Sequence, residues 1–143
     1  MHDVQAMERK PDWHVTELIG QAFLKDRPDR SQPSGLKTSS LIPSPNPVLI
    51  IAAKESFLEI TNAPGNFLRL GRSTVVEFSG SKIRLRQGSL LRHCENETLF
   101  ALSAKQADAG IRLRRGALMA EATGNGGLKI ILISGSADAG TNA

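Results

Sequence analysis

Tyrosine is absent from this 143-residue chain, and tryptophan and cysteine occur once each. A single cysteine excludes an internal disulfide. The three histidines are scattered, no Cys/His cluster stands at metal-ligand spacing, and neither a metal nor another cofactor is expected. Long apolar runs are also missing. The longest, Val48 to Ala53, is strand-sized against the roughly 20 residues a membrane-spanning helix needs. Met1 to Lys10 is polar and no apolar core of roughly 7–15 residues follows it, so no export signal is read: the chain is cytoplasmic or its true start lies upstream. Paired carboxylates and a histidine-based triad are lacking too, so the chain is not expected to be an enzyme.

What is present is positive charge, unevenly placed. The formal net charge is +4, from 18 Lys and Arg against 14 Asp and Glu. Residues 1–45 carry six basic and six acidic side chains, whereas residues 65–115 carry ten basic against four acidic. Within that segment Arg84, Arg86, Arg112 and Arg114 alternate with apolar residues and form a candidate basic face. Such a stripe attracts nucleic acid, anionic lipid or an acidic protein, or is no more than the solvated side of a sheet.

Three regions follow from the patterning. Over residues 1–47, Val15, Leu18, Ile19, Ala22 and Phe23 recur at helical spacing, which predicts a short amphipathic helix over about 12–25, ended by Pro28. Trp13 and Phe23 would anchor a partner if that helix docks. Ser31 to Pro47, rich in Pro and Ser, reads as a disordered linker. Residues 48–135 change to short apolar runs with Gly or Asn punctuation, and residues 136–143 read as a disordered tail. The strands are expected near Val48–Ala53, Phe57–Thr61, Phe67–Leu70, Thr74–Phe78, Lys82–Arg86, Leu90–His93, Leu99–Ala104, Gly110–Arg114, Ala117–Ala122 and Leu128–Ser134. In Lys82–Arg86 the period of two puts Ile83 and Leu85 on one face and the cations on the other. Leu128–Ile133 is apolar except for Lys129, the pattern of a more buried strand.

One segment recurs. Ile83-Arg84-Leu85-Arg86-Gln87-Gly88-Ser89-Leu90 reappears 28 residues later as Ile111-Arg112-Leu113-Arg114-Arg115-Gly116-Ala117-Leu118, with an echo at Phe67–Gly71. A strand-glycine-strand unit of this kind predicts an all-β fold, a solenoid-like β-roll or a sandwich of short strands. Gly65, Gly71, Gly88, Gly116 and Gly127 are its expected structural turns.

The run Phe57–Phe78, with Pro64-Gly65-Asn66-Phe67-Leu68-Arg69-Leu70-Gly71 at its centre, then Ile83–Leu91 with Gln87-Gly88-Ser89, resembles FecR-like domains of bacterial cell-envelope proteins. Gly110-Ile111-Arg112 and the Gly126–Gly135 strand are similar to the end of such a domain. The resemblance spans residues 48 to 135. It implies an all-β roll in the periplasm or cell envelope that serves as a sensor, scaffold or interaction module, with no catalytic residues to carry over. Two features depart from the family: Arg112-Leu113-Arg114-Arg115-Gly116 stands where a tighter turn is usual, and neither export signal nor membrane anchor is read. Signal relay across a membrane is therefore not assigned.

Other tempting groups resolve into structure. His93 and Cys94 are adjacent on a strand, so they point to opposite faces and cannot form a catalytic pair. Ser89 lacks the following glycine of a nucleophile elbow. Gly124-Asn125-Gly126-Gly127 precedes a strand and lacks the Lys-Ser/Thr of a phosphate loop, so it is a hairpin turn. Two functions remain: an interaction module that binds a protein or envelope polymer through a strand edge or the basic face, and a nucleic-acid-binding β domain using the four arginines. Single-strand binders stack bases on exposed aromatics. The domain offers only Phe57, Phe67, Phe78 and Phe100, which favours the module.

Overall fold

The computed structural model describes residues 13–25, 32–42 and 48–140, and every regular element among them is a β-strand. In chain order these are β1 Trp13–Ile19, β2 Ala22–Lys25, β3 Ser34–Gly35, β4 Leu41–Ile42, β5 Val48–Ala52, β6 Phe57–Ala63 and β7 Asn66–Leu70. They continue as β8 Thr74–Phe78, β9 Lys82–Gln87, β10 Ser89–Cys94, β11 Thr98–Ser103, β12 Asp108–Ala122 and β13 Leu128–Gly140.

The sheet doubles back on itself at β12. The first half of this strand, Asp108–Leu113, pairs with β11, and the second half, Gly116–Glu121, pairs with β10. One sheet in the order β3-β2-β5-β8-β9-β11-β12-β10-β7-β6-β1-β4 is thereby curled into a half-barrel of two facing layers. All pairings are antiparallel except β9 with β11. Alternation turns Ile83 and Leu85 of β9, Phe100 and Leu102 of β11, and Leu68 and Leu70 of β7 into the space between the layers. Contact across that space is direct: the Trp13 ring of β1 meets the Phe78 ring of β8 edge-on at 5.1 Å.

Short strands alternate between the layers, so the chain must bend sharply at each crossing. The crossings at Gly20, Ala53–Ser56, Gly71–Ser73 and Gly88 lie in a row tied by hydrogen bonds. Ala53 N–H donates to Gln21 O at 3.0 Å, Ser73 N–H to Ala53 O at 3.1 Å, and Gly71 N–H to Ser89 O at 3.1 Å. Gly88 has φ of +91°, and a Cβ there would lie 2.7 Å from Thr74 Cα. Only glycine meets both demands. The Thr74 hydroxyl completes the corner, donating to Ser89 O and accepting from Ser89 N–H, both at 3.1 Å.

The recurring segment is this crossing, used twice. Ile83, Leu85 and Leu90 are buried, as are their counterparts Ile111, Leu113 and Leu118. In the first copy Gly88 separates two strands. In the second, β12 runs through, and Arg115 takes the left-handed conformation, φ 46°, beside a register shift. The copies do not stack as solenoid coils, because β11 lies between β9 and β12.

Three expectations are corrected. No helix forms over the described part of 12–25: it gives β1 and β2, which pair with β6 and β5. Gly20, at φ 83°, divides two strands whose combined apolar spacing imitates a helical period, and the β-branched Val15, Thr16 and Ile19 favour the extended form. Within the expected linker, Ser34–Gly35 and Leu41–Ile42 pair with β2 and β1, and Ile42 is buried; residue 31 and residues 43–47 lie outside the described residues. In the expected tail, residues 136–140 continue β13 along β12, while residues 141–143 lie outside the described residues.

Gly88→Val should lower stability by roughly 3 kcal/mol, combining a strained backbone with overpacking against Thr74. Ser89→Ala should stay within about 1 kcal/mol. Thermal denaturation of both variants checks this, and equal shifts would contradict the crossing.

Candidate functional site

The parity of β9 and β12 sends Arg84, Arg86, Arg112 and Arg114 to the outer side of one layer, with β11 between the two pairs. The structure therefore brings the four arginines together. It also supplies each pair with a carboxylate. Arg86 Nε donates to Glu77 Oε2 at 2.6 Å, and Arg84 Nε stands 3.9 Å from the same oxygen. Arg114 Nε lies 3.2 Å from Glu97 Oε1, Arg112 Nε 3.8 Å from Glu97 Oε2, and Arg114 Nη2 2.9 Å from Asp138 Oδ2. The hydrogen bond to Asp138, aided by both carboxylate charges, raises the Arg114 pKa above its ordinary value.

Exposed pairs like these add little to stability, but they offset part of the positive field a polyanion would feel. With Lys82, Lys105 and Asp108, the face carries six cations and four carboxylates. Between the arginine pairs β11 presents Leu99, Ala101 and Ser103, with no aromatic ring. A shallow hollow of about 560 Å³ opens there, lined by Leu99, Gly110, Arg112, Asp138 and Gly140 among others.

Arg92, part of the same basic segment of sequence, goes the other way. It is 2% exposed and lies between the layers, its guanidinium 5.2 Å from the Trp13 ring and 5.6 Å from the Phe100 ring. Nη1 donates to Asn66 Oδ1 at 2.6 Å, His93 O at 2.8 Å and Phe67 O at 3.2 Å. No carboxylate among the described residues pairs with it. Burial pushes its pKa down to about 10, which still leaves it charged at neutral pH. This arginine clamps the β6–β7 turn to the core and is unavailable as a binding cation.

His93 and Cys94 separate as the strand pattern requires. Cys94 is buried with Sγ 3.5 Å from Leu113 O, whereas His93 stacks on Phe67 at 4.7 Å and its Nδ1–H donates to Gly65 O at 2.6 Å. Among the described residues no three His, Cys, Asp or Glu side chains stand close enough to hold a metal. No helix among them is long and apolar enough to cross a membrane. Gly65 occupies the β6–β7 turn, Gly71 the β7–β8 crossing, and Gly127 the β12–β13 connection. Gly116 lies inside β12, where a Cβ would stand 2.5 Å from the Ser134 carbonyl carbon.

The largest surprise is β13. A buried strand is expected over Leu128–Ile133, yet Ile130, Ile131, Leu132 and Ile133 are 37–50% exposed. The reason is position: among the described residues β13 pairs along β12 and nothing else, so one edge and parts of both faces are open. Hydropathy alone cannot separate a central strand from an uncovered edge strand. Its inward side chains, Ile130 and Leu132, lie beside Ala120 and Leu118 at the end of the interlayer space, and its outward Ile131 lies beside Met119.

Compared with known proteins, the chain matches no family model, no curated protein and no solved structure.

Arg92→Ala should cost about 3 kcal/mol or more, because it empties core volume and orphans three carbonyl acceptors. Arg84→Ala, which removes one exposed partner of Glu77, should change stability by less than about 1 kcal/mol. Urea denaturation of the two variants checks the contrast; similar losses would contradict the placement of Arg92.

Proposed function

We propose that this chain is a non-enzymatic β interaction module, of the FecR-like kind that residues 57–91 resemble, and that its partner adds a strand to the free edge of β13. One observation carries the reading: a 13-residue strand, apolar over Leu128–Ile133 except for Lys129 and, among the described residues, open along its outer edge. Such an edge offers a row of N–H and C=O groups for main-chain pairing and apolar side chains on both faces for specificity. A protein segment satisfies those groups, which favours protein over an envelope polymer.

The competing reading, nucleic acid on Arg84, Arg86, Arg112 and Arg114, draws support from their shared face. It is weakened by Glu77, Glu97 and Asp138, which already pair with them, and by the lack of an exposed aromatic on β11.

Capture from envelope extract and from a DNA and RNA mixture, at low and physiological salt, separates the two. The full chain is compared with Ile131→Lys and with the double variant Arg84→Glu/Arg112→Glu. Saturable protein capture that survives physiological salt, disappears in Ile131→Lys and persists in the double variant is the expected result. Nucleic-acid capture that falls steeply with salt and disappears in the double variant would overturn the reading.

A further inference from the structure

We infer that the occupant of the β13 edge is a second copy of this chain, related by a two-fold axis that passes through the sheet near Ile131. The inference rests on the reading of β13 as the binding edge and adds the identity of what binds there.

The first argument is how the chain treats its other edges. The sheet ends elsewhere in β3 and β4, strands of two residues each. Short edge strands are a usual protection against unwanted pairing. By contrast β13 is long and carries only Lys129 as a charge between Leu128 and Ile133. Register shifts at Ile133 and at the left-handed Gly135 interrupt the edge and leave Leu128–Leu132 as its regular run fit for pairing.

The second argument is self-complementarity. An isologous contact sets each patch against itself. Across an antiparallel pair with its axis at Ile131, Ile131 faces Ile131 of the second copy, and Ile130 faces Leu132. The outer row Leu91, Met119, Ile131, already aligned across β10, β12 and β13, would then continue as Ile131, Met119, Leu91 of the second copy. On the inner side Ala120 and Ile130 would meet Leu132 and Leu118. Lys129 falls at the bulged Ile133 of the second copy, where the regular run ends, and stays beside its own Glu121, so no like charges meet.

The third argument is area. Met119, Ile130, Ile131, Leu132 and Ile133 together expose roughly 400 Å² of surface, the size of a functional patch on a monomer. Two such patches give about 800 Å², below the roughly 1,200 Å² at the small end of specific interfaces, so the edge backbone and flanking residues must supply the remainder. A modest, concentration-dependent dimer is the consequence. Pairing uses the one long free edge among the described residues of each copy, so the assembly closes at two.

Analytical ultracentrifugation of the full chain across a micromolar range tests this, with Ile131→Lys, and with Ile131→Thr in case the lysine variant does not fold. The expected result is a mass rising with concentration to twice the chain mass, and a monomer for the folded variant over the same range. Ile131→Cys should form a disulfide-linked dimer on oxidation, since directly opposed Cα atoms stand at about 4.5–5.5 Å. Ile19→Cys, at a site 60% exposed on β1, should not. A wild-type monomer at every concentration, a dimer that survives Ile131→Lys and Ile131→Thr, or growth beyond two copies would each overturn the inference. The edge reading is judged separately: a monomer whose capture of another protein is lost in Ile131→Lys keeps the edge as a binding site and removes only the second copy.

Discussion

The bend in β12 at Arg115–Gly116 is the constraint on which the rest of the architecture depends. It lets one strand pair with β11 in its first half and with β10 in its second, and so closes a single sheet over its own apolar face. Ser134 and Gly135 of β13 pack against this bend so closely that neither Gly116 nor Gly135 has room for a side chain. The ribbon of β12 and β13 is thus fixed across the end of both layers. Because nothing among the described residues follows β13 in the sheet, the same bend that builds the core leaves an apolar edge uncovered.

Much of this was legible in the sequence. The strands from Val48 onward could be read from alternation and glycine punctuation, and the repeated segment at Ile83 and Ile111 marked two bends of the same kind. What local pattern could not carry was tertiary position. Over Val15–Phe23 two short strands and one helix share the same apolar spacing, and pairing with β5 and β6 decides between them. Arg92 resembles its neighbours in sequence, yet parity turns it inward between Trp13 and Phe100. Leu128–Ile133 has the composition of a central strand, and only the topology shows that it has a single neighbour.

The two candidate surfaces differ in how far the protein has already satisfied them. On the basic face every one of the four arginines has a carboxylate within 4 Å, so a ligand there would have to compete with Glu77, Glu97 or Asp138. On the β13 edge the outward-pointing backbone groups have no strand partner among the described residues, and apolar side chains stay exposed. Burying the second surface releases the larger favourable free energy, which is why the proposed recognition is assigned to the edge and not to the arginines.

The central claim, that the Leu128–Ile133 edge is a pairing surface, is tested most directly by amide hydrogen exchange resolved along β13 at low and high protein concentration. Alternate amides of this strand point away from β12. The account predicts that they exchange freely in dilute solution and become protected as concentration rises, while amides of β10, paired on both sides, stay protected throughout. Rapid exchange of the outward amides at every concentration, together with unchanged exchange when a bound protein partner is present, would contradict it.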